Sequence, residues 1–296
     1  TMKGSITKML VVSAAILTTL AAGGYWYVFV AGVPQLDLAP AEKNTGLAFE
    51  VKTFSSKAMG SDRSYGVMLP PGYAQSPSKR YPVIFLLHGG HGNERDFQDK
   101  AALIGKELPM VVKSRYRTLT SPQFWAIGGN SSGGWGAFNI GLRSLNQFHI
   151  LFSHTGYFID KSGAENSPQQ FIQQIPTAQR KQIRAYMDAG DADAKYLAAT
   201  RSFHQTLNQL GIANDFRVYP GGHGIYGKNV GWNYWHKHLA NSLSYVGKQF
   251  KAALLKPTPP EKAAIEPSKN RETLQEKSEN LAEPLPESSE KREPQP

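Results

Sequence analysis

The stretch Trp125-Ala-Ile-Gly-Gly-Asn-Ser-Ser-Gly-Gly-Trp-Gly-Ala137 decides how the chain is read. Trp125–Ile127 has the apolar character of a short strand and Gly134–Leu142 that of a helix. Gly129-Asn130-Ser131-Ser132-Gly133 is compressed between them. A Gly-x-Ser-x-Gly run in that place forms a sharp, strained strand-to-helix turn that lifts the central hydroxyl above the sheet edge. The two glycines are needed because a side chain at either would strike the neighbouring strand or helix. Ser132 cannot be the central residue, since Asn130 would then occupy the first glycine position. In a chain with 28 glycines the bare pattern is a weak sign, and its placement between strand and helix carries the weight. The plain alternative is a glycine-rich turn with a capping serine. Ser131 is the candidate nucleophile.

Outward from this turn, strands and helices alternate. On the N-terminal side, Leu47–Phe54 and Ser64–Leu69 read as two strands separated by turn residues around Gly60 and closed by Pro70-Pro71-Gly72. Val83–Leu87 is a continuous apolar run, as expected of a strand buried on both faces. Glu107–Tyr116 has helical spacing. On the C-terminal side follow strands at Ile150–Ser153, Ala185–Asp188 and Phe216–Tyr219. Helices are expected at Ala194–Leu210, stopped by Gly211, and at Trp232–Phe250. This alternation predicts an α/β fold, a mostly parallel sheet flanked by helices.

A serine hydroxyl needs a base. Of the 8 histidines, His149, His154 and His204 sit inside strand or helix patterns, and His236 and His238 are too close in sequence to share a helix face. His223, in Gly221-Gly222-His223-Gly224, lies in a loop at the C-terminal end of the last strand, the edge where open α/β sheets gather their sites. The acid that orients the imidazole should fall between serine and histidine. Asp188, Asp191 and Asp193 all do. Asp188 belongs to its strand, Asp193 follows the Gly190 turn and is the candidate, and Asp191 is the reserve. Asp193 could instead serve only as a helix N-cap. The oxyanion of a tetrahedral intermediate needs backbone N–H donors. Ser132 is one, and Gly90, in His88-Gly89-Gly90-His91-Gly92, is the other. Reading His88 and His91 as zinc ligands lacks further evident partners, so no metal and no organic cofactor is expected.

The termini carry a different message. Lys3 and Lys8 precede 25 uncharged residues, Met9–Val33, which end near Tyr25-Trp26-Tyr27. That length exceeds the roughly 7–15 apolar residues of a secretory signal and meets the about 20 that span a bilayer. The aromatic cluster suits an interfacial anchor. Residues 1–33 are therefore read as a membrane anchor with the remainder extracytoplasmic (periplasmic or secreted). A signal peptide cleaved near Ala21-Ala22-Gly23 is the alternative. Residues 34–46 read as a polar tether, 47–255 as the catalytic domain and 256–296 as a disordered Pro/Glu/Lys-rich tail. The formal net charge of +10 is uneven. Pro257–Pro296 holds 6 Lys/Arg and 9 Asp/Glu, a net −3 that leaves +13 on the rest. No basic run or basic helix stands out, so the excess reads as solvated surface and no nucleic-acid partner is expected. The absence of cysteine excludes thiol chemistry, disulfides and Cys-ligated metals.

Taken together, Tyr81-Pro-Val-Ile-Phe-Leu-Leu-His-Gly-Gly90, Gly129-Asn-Ser-Ser-Gly-Gly-Trp-Gly-Ala137, Asp188-Ala-Gly-Asp-Ala-Asp193 and Pro220-Gly-Gly-His223 resemble the putative-esterase (esterase D-like) family. That family has the α/β-hydrolase fold and includes S-formylglutathione hydrolases, feruloyl esterases, enterochelin esterases and mycolyltransferases. The resemblance spans about residues 47–250. It implies Ser131, Asp193 and His223 as a triad, Gly90 and Ser132 as the oxyanion hole, and a small-molecule ester or thioester substrate. One departure is that only 40 residues separate Gly90 from Ser131, an interval in which relatives usually carry an extra core strand. The chain is thus expected to lack that strand and to leave an unpaired edge beside Val83–Leu87. Two rivals stand beside hydrolysis: acyl transfer to a sugar or alcohol, and a catalytically impaired, membrane-tethered binding module.

Overall fold

A computed structural model describes residues 2–31, 33–38, 49–90 and 103–255. The first element is helix α1, Met2–Tyr25, continued by a wider helical turn over Trp26–Val30. Gly4–Val30 is long and apolar enough to cross a membrane, with mean hydropathy 1.7 and none of it buried against the rest of the chain. At 1.5 Å per residue its 27 residues span about 40 Å, against a hydrocarbon core of about 30 Å.

Next comes an antiparallel hairpin, β1 (Phe49–Ser56) with β2 (Ser61–Met68). Its outer face is solvated, as the exposed Phe49, Val51 and Met68 show. Two side chains fasten it to the domain. Glu107 accepts from Ser56 Oγ (2.5 Å) and from the Ala58 amide (2.9 Å), while Arg115 donates to Thr53 O (2.9 Å).

Among the described residues the main sheet has five parallel strands in the order β3-β4-β5-β6-β7. They are β3 (Val83–Leu87), β4 (Trp125–Asn130), β5 (Ile150–His154), β6 (Arg184–Gly190) and β7 (Ala213–Tyr219). Among the described residues, four helices of eight or more residues accompany it: α2 (Leu108–Arg115), α3 (Ser132–Arg143), α4 (Ala194–Gln209) and α5 (Gly231–Leu254). The alternation read from the sequence is borne out. The middle strands β4, β5 and β6 are buried almost end to end, which is why their sequences are continuous apolar runs. The polar Ala213-Asn214-Asp215 that opens edge strand β7 carries no such signal, so its start falls earlier than the apolar pattern suggested.

Among the described residues, none between Gly90 and Trp125 forms a strand, and β3 pairs only with β4. Ile84 and Leu86 are exposed. The expectation of a buried Val83–Leu87 therefore holds for Phe85 but not for these two neighbours. Ile84 and Leu86 share one face of the strand and Phe85 the other.

Helix α3 packs closest to the sheet. Every residue from Ser132 to Leu142 is buried. Its glycines cost helix propensity, roughly 1 kcal/mol each relative to alanine, yet the space demands them. A Cβ on Gly134 would lie 2.2 Å from Ser153 Oγ, and one on Gly141 2.3 Å from Leu151. Beside it, Phe138, Phe158 and Phe203 form an edge-to-face and stacked aromatic cluster with centroids 4.1–5.3 Å apart. Removing one such buried ring would cost about 3–5 kcal/mol. This rigid junction of sheet and α3 is what holds the turn between β4 and α3 in place.

Candidate active site

Ser131 joins β4 to α3 with φ 55° and ψ −118°. A non-glycine residue there is strained by about 1–3 kcal/mol and persists only when its surroundings enforce it. They do so through its amide, which donates to His154 O (2.9 Å), and its carbonyl, which accepts from the Trp135 amide (3.1 Å). Gly129 and Gly133 close the vise. A Cβ on either would approach Leu87 O to 2.3 Å. The glycine spacing read from the sequence thus has a steric cause.

His223 stands on the loop after β7. Its Nε2 is 2.8 Å from Ser131 Oγ, and its Nδ1 pairs with Asp193 Oδ2 in a very short contact. The same carboxylate oxygen accepts from the His223 backbone amide at 3.0 Å. Asp193 occupies the N-cap position of α4 but makes no side-chain cap bond. Its carboxylate pairs with the histidine instead. Asp191, the reserve acid, accepts from the Gly221 amide (2.9 Å) and so shapes the start of the histidine loop. Asp188 is elsewhere, fully buried.

Gly90 and Ser132 are neighbours, since the Ser132 hydroxyl donates to Gly90 O at 3.4 Å. A Cβ on the adjoining Gly89 would lie 3.3 Å from Ser131 Cβ, so this loop runs directly past the serine. Ser132 opens α3, where first-turn N–H groups lack intrahelical partners and the helix dipole favours negative charge. The His88 ring nitrogen Nδ1 donates to Gly89 O (3.0 Å), while His91 and Gly92 lie outside the described residues.

Sequence reasoning overlooked Tyr196. Its ring stacks on His223 with centroids 3.9 Å apart, and its hydroxyl lies close enough to the Ser131 side chain to interact with it. Burial, then the charge of Asp193, pushes this phenol above its ordinary pKa. The signal was available, because residues three apart on a helix share a face and Tyr196 follows Asp193 by three. Tyr157 continues the aromatic row toward Trp135, on which it stacks at 5.8 Å.

A second trio lies beneath. His154 Nδ1 is 2.7 Å from Asp188 Oδ2 and its Nε2 is 2.9 Å from Ser242 Oγ on α5, with His154 and Asp188 fully buried. Tyr186 and Tyr234 donate to the Asp188 carboxylate at 3.1 and 3.0 Å. Burial, reinforced by the Asp188 charge, drives both phenols far above their usual pKa. Through His154 O this network also holds the Ser131 amide.

With the geometry established, comparison with known proteins is informative. The family model described as "Putative esterase" matches residues 56–104 and 102–246. The chain belongs to this esterase family. An esterase of Mycobacterium tuberculosis is 22% identical over 251 residues, covering 57% of this chain and 54% of the relative. An uncharacterized protein of Corynebacterium glutamicum is 21% identical, covering 61% of this chain and 56% of that protein. The chain spans about half the length of the curated relatives it matches. Among solved structures, a ferulic acid esterase superposes with TM-score 0.57 at 25% identity, covering 69% of this chain and 99% of its own. An S-formylglutathione hydrolase from Staphylococcus aureus superposes with TM-score 0.52 at 15% identity, covering 71% and 99%, and shares the fold.

Proposed function

We propose that this chain hydrolyses a small-molecule ester or thioester through an acyl-enzyme on Ser131. The observation that carries the reading is the unbroken line from Asp193 through His223 to a serine held at φ 55°. In this scheme His223 Nε2 removes the proton from Ser131 Oγ as the oxygen attacks the carbonyl carbon. Asp193 stabilises the resulting imidazolium. The amides of Ser132 and Gly90 bind the tetrahedral oxyanion. Collapse breaks the bond to the leaving alcohol or thiol, which takes its proton from His223. Water then repeats the cycle in reverse order, losing a proton to His223 and releasing the acid. Each group needed is present in the protein, and the scheme calls on no metal or organic cofactor.

The apolar helix supports a membrane-anchored, extracytoplasmic placement in this reading. Its aromatic residues Tyr25 and Trp26 are exposed near the end that leads into the domain, where such rings settle at an interface.

A fluorophosphonate probe tests the proposal. Intact chain should be labelled at one site and should hydrolyse p-nitrophenyl acetate, and Ser131→Ala should do neither. A folded chain that resists the probe and turns over no ester in a panel of aryl, feruloyl and glutathione esters refutes it. Product analysis with an added alcohol separates hydrolysis from acyl transfer.

A further inference from the structure

The segment that follows the apolar helix docks onto the loop that bears His223. Residues 33–38, read from the sequence as part of a polar tether, run along residues 225–233, while 39–46 lie outside the described residues. Gln35 is only 8% exposed. Its Nε2 donates to Val230 O (2.9 Å), and its Oε1 accepts from the amides of Trp232 and Asn233. Those amides open α5, and its N-cap residue, Val230, has no side-chain oxygen to satisfy them. Gln35 therefore caps α5 from almost two hundred residues away, filling a role usually taken by a local Ser, Thr, Asp or Asn.

Asp37 grips the next part of the loop. Its Oδ2 accepts from the Gly227 amide (2.8 Å), and its backbone oxygen accepts from Asn233 Nδ2 (2.9 Å). Leu36 N–H donates to Ile225 O (2.8 Å). The fit leaves no slack. Gly231 sits at φ 56°, and a Cβ there would fall 2.5 Å from Gln35 Oε1. At the loop's base, the Gly222 amide donates to Asn229 O (3.2 Å) and the Gly231 amide to Gly222 O (2.8 Å). Gly222 adjoins His223, so the held crown and the stem form one unit with the imidazole at its root. The segment is also tied to the helix before it, because Tyr27 donates through its hydroxyl to Pro34 O (2.6 Å) and Val33 through its amide to Tyr27 O (2.9 Å).

We propose that Gln35 and Asp37 are positioning residues for His223, a clamp through which the juxtamembrane segment sets the geometry of the reaction. This rests on the ester-hydrolase reading above. The clamp touches neither substrate nor Ser131, so it acts only through the loop.

The test uses the full chain in detergent micelles, comparing parent, Gln35→Ala, Asp37→Ala, the double variant and the conservative Gln35→Glu and Asp37→Asn. Displacing a catalytic group by about 1 Å can cost about 100-fold. The double variant should lose about 10- to 100-fold in kcat on p-nitrophenyl acetate with KM within about threefold. Asp37→Asn, which keeps an acceptor for the Gly227 amide, should recover most of the Asp37→Ala loss, whereas Gln35→Glu, which turns the donor facing Val230 O into an acceptor, should not recover that of Gln35→Ala. Hydrogen exchange over residues 223–233 should accelerate in the alanine variants, a readout that does not depend on turnover. If the parent turns over no ester, the hydrolase reading fails while the exchange result still judges the clamp. Unchanged exchange in the double variant, or faster exchange with kcat within twofold of the parent, overturns the proposal.

Discussion

Asp193→Asn replaces the carboxylate that faces His223 while keeping its shape. Asp193 Oδ2 holds both Nδ1 and the backbone amide of His223. The asparagine must therefore present its oxygen there to satisfy the amide, and the ring stays oriented. What disappears is the charge that stabilises the imidazolium. At an effective dielectric near 20, opposite charges about 4 Å apart attract by about 4 kcal/mol. His223 is 33% exposed and Asp193 12%, which reduces the figure to about 3 kcal/mol. That amounts to roughly 100-fold in kcat. If the amide nitrogen turns toward Nδ1 instead, the wrong tautomer is enforced and the loss rises to roughly 10⁴-fold. Steady-state hydrolysis of p-nitrophenyl acetate measures this, with a thermal melt to confirm folding. Asp191→Asn is the control. It keeps an acceptor for the Gly221 amide and should stay within about tenfold of the parent. The reasoning is refuted if Asp193→Asn falls within tenfold of the parent while Asp191→Asn loses 100-fold.

Other perturbations separate the remaining contacts. Tyr196→Phe removes the hydroxyl near Ser131 and leaves the ring on His223. A polar interaction of about 1–1.5 kcal/mol predicts a kcat loss of roughly 5- to 10-fold, and a variant kinetically identical to the parent would count against a role for the phenol. Ser242→Ala strips His154 Nε2 of its partner in the interior and should lower the stability measured in urea by about 1–3 kcal/mol. Fluorophosphonate labelling of Ser131 should be undiminished. Burial, followed by the positive charge of Arg184, depresses the pKa of His149 in the fold. The unfolded chain then binds the extra proton first, so stability is full above the ordinary histidine pKa of about 6.5 and declines as pH falls below it. His149→Gln should flatten the fall in melting temperature between pH 7.5 and 5.5, and a slope equal to the parent's would show that this histidine is not responsible.

The architecture was legible where local pattern and tertiary environment agree. The buried strands β4, β5 and β6 are apolar because both of their faces are covered, so periodicity alone located them. Ser131 was legible because its strained turn can tolerate only glycine on either side, and His223 because loops at that sheet edge are few. Asp193 was separable from Asp191 only by resemblance, since both stand in one acidic turn and only coordinates tell which carboxylate meets the imidazole. The want of a further strand among the described residues before Ser131 was foreseen from the short interval, but the exposure of Ile84 and Leu86 was not, because an apolar run does not tell whether both faces of its strand are covered. Gln35 and Asp37 were invisible for another reason. They stand in a polar, proline-bearing stretch, and their partners lie on the far side of the whole domain in sequence. No short-range signal marks a cap supplied from such a distance.

The trio Ser242, His154 and Asp188 bears on how such enzymes are found. A template made only of mutual distances among serine, imidazole and carboxylate would match both trios among the described residues. One is inert by construction, since its imidazole is sealed from solvent and its serine lies within a regular helix. Adding two criteria, left-handed backbone at the serine and solvent at the imidazole, leaves a single answer. The two trios share their functional groups and differ in setting, one at the surface on a strained turn and the other sealed in the interior.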